Sequence, residues 1–180
     1  MSFSLNRMLS SNQLLETVKA DWVSQINDDE GMPVEQLEVY FNQAKRISSS
    51  KNIPDDKGMF VLVSEEGGST TYDAMCYINH AFTKCELRVV NIYLAPRFDD
   101  REHMQISIAE IFAKLLSQFV RLARQGEWKS PALKMYLPDA FSRNFASSFA
   151  STLKLRDGLL TVEIIGSWLH IKGLDTLKAE

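Results

Sequence analysis

The chain lacks most of the signals that announce a chemistry on their own. It has two cysteines among 180 residues, Cys76 and Cys85, with neither a CxxC spacing nor a histidine pair beside them, and so no zinc-ligand pattern and no disulfide framework. Such thiols read as the free thiols of a reducing cytoplasm. No stretch approaches the ~18 consecutive apolar residues of a membrane helix. Asn6, Arg7, Ser10, Ser11, Asn12 and Gln13 interrupt the N-terminal segment, so it has no signal-peptide core. A soluble, cytoplasmic protein with no membrane partner is the expectation. Positive charge is not in surplus either: 20 Lys and Arg against 23 Asp and Glu give −3, which argues against a nucleic-acid partner. There is no GxSxG, no P-loop, no Cys–His pairing and no metal-ligand spacing, so no metal is expected.

What is present is one chain's worth of core. With 45% hydrophobic and 24% charged residues, the length suits one well-filled domain over 1–180 better than two. Residues 3–9 alternate as a short strand. Leu14, Leu15, Val18, Trp22, Val23 and Ile26 then recur at helical spacing behind Ser10 or Ser11 as cap. Pro33 opens a second helix whose face is Val34, Leu37, Phe41 and Ala44. A polar loop over 48–58 leads to strands at 59–66 and 70–82, joined at Gly67-Gly68-Ser69, a strong hairpin signal. The run at 87–95 is apolar enough for a strand covered on both faces.

A long helix follows, with Ile108, Ile111, Phe112, Leu115, Phe119 and Leu122 on one stripe, ending at Gly126. Asp99 with Glu102, or Ser107 with Glu110, forms its capping box, and the second fits the stripe better. A strand at 132–138 precedes a helix capped by Asp139, whose Phe141, Phe145 and Phe149 read as core. Gly166-Ser167 suits a type II′ turn between two final strands. The order is strand, two helices, three strands, helix, strand, helix, two strands: an α/β (α+β) domain with a mixed, mostly antiparallel sheet flanked by helices.

That order resembles the GNAT superfamily of acyl-CoA-dependent N-acyltransferases. "FSLNRMLSSNQLLETV" is similar to the family's opening strand and first helix, and "MFVLVSEEGGSTTYDAMCYINH" to its central hairpin. "VVNIYLAP", running into a buried helix, is similar to its fourth strand and exit. The resemblance implies an acyl-CoA such as acetyl-CoA as cofactor and a small-molecule or peptide amine as acceptor, and it leaves room for a homodimer. It also implies that backbone groups of Ile92, Tyr93 and Leu94 pair with the pantetheine arm. Two departures stand out. The family's Arg/Gln-x-x-Gly-x-Gly/Ala phosphate loop corresponds here to "RFDDREHMQIS", which contains no glycine. Asp99, Asp100 and Glu102 are offset only partly by Arg97, Arg101 and His103, leaving Arg101 and the start of the helix at Ser107 as the phosphate contacts. The helix after the fifth strand carries phenylalanines where the family often has a proton-donating tyrosine.

Direct attack on a thioester needs a neutral amine and therefore a proton acceptor. Glu86 and Glu65 stand at strand ends as candidate bases or as solvated edge charges. Asn91 and Tyr93 share a strand face as cleft residues or as sheet contacts. His80 reads as a surface or half-buried structural histidine rather than a cleft residue. The catalytic candidates are thus Glu86, Asn91 and Tyr93. The leading expectation is N-acyl transfer, and the alternative is a catalytically inactive binding or regulatory module of the same fold.

Overall fold

The computed structural model describes residues 2–26, 33–49, 56–98, 104–156 and 160–176. Its elements are β1 (Ser2–Met8), α1 (Leu14–Ser24), α2 (Val34–Ser48), β2 (Lys57–Glu66), β3 (Ser69–Ala81) and β4 (Glu86–Leu94). There follow α3 (Met104–Arg124), β5 (Ala132–Tyr136), α4 (Ala140–Arg156), β6 (Thr161–Ile165) and β7 (Trp168–Lys172). The element order is the one read from the sequence. Seven strands hydrogen-bond in the order β1-β2-β3-β4-β5-β7-β6. The β4–β5 pair is parallel, while β1–β2, β5–β7 and β6–β7 are antiparallel.

Two compact units share this chain: residues 1–77 with 92–116, and residues 78–91 with 117–180. Strands β3 and β4 and helix α3 each pass from one to the other partway along. In the first unit, α1 and α2 lay Val18, Trp22, Leu37, Phe41 and Ala44 against Met59, Val61, Val63 and Met75. Burying each such side chain contributes roughly 1.5–3 kcal/mol. Trp22 meets Phe41 edge-on at 5.7 Å and donates its indole N–H to the Tyr72 carbonyl at 2.8 Å. Val23 and Val34, assigned to buried faces, are instead 45% and 48% exposed. Both sit at helix ends, where the apolar stripe has already rotated off the sheet.

Strand β2, whose residues Gly58 to Ser64 are all buried, is covered on both faces, and β4 is not. In β4 only Leu87 and Val89 are buried, because Glu86 and Arg88 occupy the alternate positions. In the second unit one sheet face is apolar: Leu87, Val89, Leu133, Met135, Leu169, Ile171 and Val162. The opposite positions carry Glu86, Arg88, Lys134, His170 and Glu163.

Local signals explain most boundaries. Gly67 and Gly68 both take positive φ, +58° and +86°, the backbone that a two-residue type I′ turn demands. Gly166 is at +61° while Ser167 is not positive, the φ pattern of a type II′ turn. The Asp139 carboxylate accepts the Ser142 amide at 2.7 Å and so caps α4. The described buried residues of helix α4 are Ser142, Ala146 and Ala150, and Phe145, expected in the core, is half-buried. The side chains of Phe141 and Phe149 lie outside the described set. Neither Ser10 nor Ser11 caps α1. The N-cap residue is Gln13, which makes no side-chain cap bond, and Asn12 before it accepts the amides of Leu9 and Leu14 on its side-chain oxygen, both at 3.2 Å. Among the described residues, no helix is long and apolar enough to cross a membrane.

Candidate functional site

Strand β4 organises the candidate residues, and its two halves differ. At its start, Glu86 accepts Lys134 Nζ at 2.8 Å and Arg88 Nη2 at 2.9 Å. Burial pushes the Glu86 pKa up, but hydrogen bonds from Lys134 and Arg88, and then their charges, outweigh it and hold it below the ordinary value. A carboxylate tied to two cations is a weak proton acceptor. On the same sheet face His170 stays neutral more readily than usual, lowered first by burial and then by the Lys134 charge.

The β4–β5 ladder runs from Glu86–Ala132 to Val89–Met135 and stops there, although β4 itself continues to Leu94. Asn91, Ile92, Tyr93 and Leu94 are all half-buried in this second half. Tyr93 is fixed from α2. Its hydroxyl donates to Gln43 Oε1 at 2.6 Å, and its ring stacks on Tyr40 at 4.3 Å with 27° between planes. Gln36 in turn donates its amide to the Tyr40 hydroxyl. Helix α2 therefore carries two stripes: Leu37, Phe41 and Ala44 into the core, and Gln36, Tyr40 and Gln43 beside it. The second stripe was readable as spacing i, i+4, i+7 but is overshadowed by the apolar one.

Beyond β4 the chain is anchored to β3 and α1. Ala95 donates its amide to the Asp73 carbonyl at 3.0 Å. Asp73, 3% exposed, accepts the Ser64 and Thr71 hydroxyls and the Arg97 guanidinium. The Arg97 amide donates to Gln25 Oε1 at 3.3 Å, and Gln25 donates to Asp21 Oδ2 at 2.8 Å. Burial raises the Asp21 pKa, with the nearby Arg97 charge and the Gln25 bond pulling the other way. Arg97, counted from sequence as a cation available near phosphate, is thus paired with Asp73.

Arg101 lies outside the described residues, as do Asp99, Asp100, Glu102 and His103. Helix α3 is already formed at Met104, so Ser107 stands a turn inside it and does not cap it. The start preferred from the apolar stripe is corrected by at least three residues, because Met104, Gln105 and Ile106 are good enough helix formers to extend the helix. The amides that α3 leaves unpaired lie at or before Ile106. His80, read as surface or half-buried, is buried within β3. Cys76 is buried, its thiol pKa pushed up by desolvation, and Cys85 is exposed. Both are free. A shallow depression at the β2–β3 hairpin is lined by Ser2, Glu65, Glu66 and Gly67 to Thr70. Its carboxylates disfavour an anionic ligand.

No protein family model matches the chain, and no curated protein matches it. Solved structures do. The chain is similar to the PaiA N-acetyltransferase from Thermoplasma acidophilum in complex with coenzyme A, at 14% identity over 95% of this chain and 98% of that one, with TM-score 0.38. It is similar to aminoglycoside 6′-acetyltransferase type Ii, at 7% identity over 97% of each chain, with TM-score 0.47. A diaminobutyrate acetyltransferase from Paenibacillus lautus, bound to its substrate and coenzyme A, gives 9% identity over 96% of each chain and 0.43.

Proposed function

We propose that this chain is an N-acyltransferase of the GNAT type, moving an acetyl or other acyl group from acyl-CoA to a small-molecule or peptide amine by direct attack. The supporting observation is the β4–β5 ladder, which ends at Val89–Met135 while β4 runs on to Leu94. Main-chain groups of Ile92, Tyr93 and Leu94 on that side fall outside the ladder. The amides of an extended pantetheine arm are the kind of ligand that pairs with such a strand. In this reading Arg101 and the first turn of α3, which holds Ser107, stand nearest the phosphates.

The amine nitrogen attacks the thioester carbonyl carbon, the C–N bond forms, and the attacking nitrogen sheds its proton to solvent water. The C–S bond then breaks and the sulfur leaves as thiolate, taking its proton from solvent because α4 has no tyrosine. Asn91 and Tyr93 are the side chains of this site. Tyr93 already donates its hydroxyl proton to Gln43, so its lone pairs are what it offers a substrate N–H. Glu86 stands seven residues earlier on the strand, about 23 Å away at the usual strand rise. In this reading it pins β4 to β5 through Lys134 rather than taking the amine's proton.

The pairing of Arg97 with Asp73 and of Glu86 with two cations favours a second reading, a binding or regulatory module that keeps the fold without turnover. Calorimetry and thermal shift with coenzyme A and acetyl-CoA separate the two. The enzyme reading expects saturable binding, a rise in melting temperature and acyl transfer to at least one member of an amine panel. Binding without transfer favours the module. Absence of binding at millimolar ligand rejects both uses of the cofactor.

A further inference from the structure

The exit of β4 is held more tightly than a connecting loop requires. Within four residues, Ala95 donates its amide to the Asp73 carbonyl, Arg97 places its guanidinium on the Asp73 carboxylate, and the Arg97 amide donates to Gln25 of α1. The guanidinium also lies over the Phe98 ring, 5.0 Å from its centroid. Asp73 is itself fixed by the Ser64 and Thr71 hydroxyls. A buried carboxylate with three side-chain donors has its charge fully compensated, and leaving it unpaired is costly.

We propose that Arg97 is a positioning residue and not a phosphate ligand. Clamped by Asp73 and Gln25, it fixes where the half of β4 beyond Val89 ends and ties that point to helix α1. This rests on the acyltransferase reading only for its consequence: the clamp sets the alignment of Ile92–Leu94, so cofactor affinity depends on Asp73 and Gln25 although neither touches the cofactor. Arg97 itself adds no net positive field for the phosphates, because Asp73 cancels its charge.

The test uses the full-length chain and the variants Arg97→Gln, Asp73→Asn and Gln25→Ala. Hydrogen exchange over residues 92–98 reads the clamp directly. Arg97→Gln and Asp73→Asn should speed exchange there roughly tenfold or more, and Gln25→Ala severalfold, following the difference between charged and neutral hydrogen bonds. Calorimetry with coenzyme A at low and high salt reads the consequence. All three variants should bind more weakly, and Gln25→Ala, which changes no charge and removes no phosphate contact, should keep the wild-type dependence of affinity on salt. If Arg97→Gln weakens binding and flattens the salt dependence while Asp73→Asn and Gln25→Ala bind normally, Arg97 is a ligand and the proposal is wrong. Unchanged exchange in Arg97→Gln overturns it equally. If the wild type binds no coenzyme A, the functional reading fails, and the exchange arm still decides the clamp. Should Asp73→Asn not fold, Gln25→Ala carries the decision, because it removes only the Arg97 amide bond and the bond to Asp21 from a half-buried side chain.

Discussion

Replacing Trp22 offers the sharpest check on how the first unit is held together. Its side chain is fully inaccessible, meets Phe41 edge-on, and spends its single N–H on the Tyr72 carbonyl. Trp22→Phe keeps most of the apolar volume but deletes that hydrogen bond. The lost bond costs about 0.5–1.5 kcal/mol, and the partly unfilled space adds to it. Trp22→Ala removes the whole ring system and should cost about 3–5 kcal/mol, a large share of the ~5–15 kcal/mol that holds an ordinary domain together. Urea unfolding followed by far-ultraviolet circular dichroism separates the two. With a slope near ~2 kcal/mol per molar, the alanine variant should lose about 1.5–2.5 M in midpoint and the phenylalanine variant well under half of that. Equal losses would mean the indole N–H, not packing, carries the site. An alanine variant within about 0.5 M of wild type would refute the packing argument altogether.

Two further outcomes follow from the electrostatics and the caps. Glu86 has a folded pKa below its unfolded value. Its ion pairs therefore stabilise fully above the ordinary carboxylate pKa of about 4.3 and fade as the pH falls through the lowered folded value. Glu86→Gln should accordingly be less stable than wild type at pH 7, by about 1–3 kcal/mol, with the gap closing in acid; a gap that persists at pH 2 would show that packing is responsible. Asp139→Ala should cost about 1 kcal/mol through the lost cap on α4. Asp139→Asn should recover most of it in thermal melts, and an equal loss in both would assign the effect to charge.

Element order could be read from the sequence because hydrophobic period and turn chemistry agree: the Gly67-Gly68 and Gly166-Ser167 turns, the Pro33 helix start and the α3 stripe each needed only local information. Pairing side chains was harder. Asp73 and Arg97 are 24 positions apart, and nothing local marks a buried aspartate in "TTYDAMCY" as the partner of an arginine after a proline. Tyr93 and Gln43 are 50 apart, and the polar stripe on α2 is overshadowed by the apolar one beside it. Burial misjudgements have a common cause. An apolar run says that a strand is covered but not by what, so β4 looked like the doubly covered strand when β2 holds that position. Phe145 on α4 looked like core because large apolar residues usually are, yet it is half-buried while Ser142, Ala146 and Ala150 on the same helix are buried.

The interleaving of the two compact units bears on synthesis. The first unit includes residues 92–116, so it stays incomplete until that stretch has left the ribosome, by which time residues 78–91 are already waiting for partners that come only after residue 117. Neither unit is a contiguous piece of the gene, and no single truncation isolates one from the other. The nascent polypeptide must therefore keep unfinished β-strands in water for much of its translation, the condition in which a molecule this size is most exposed to aggregation and most dependent on chaperones.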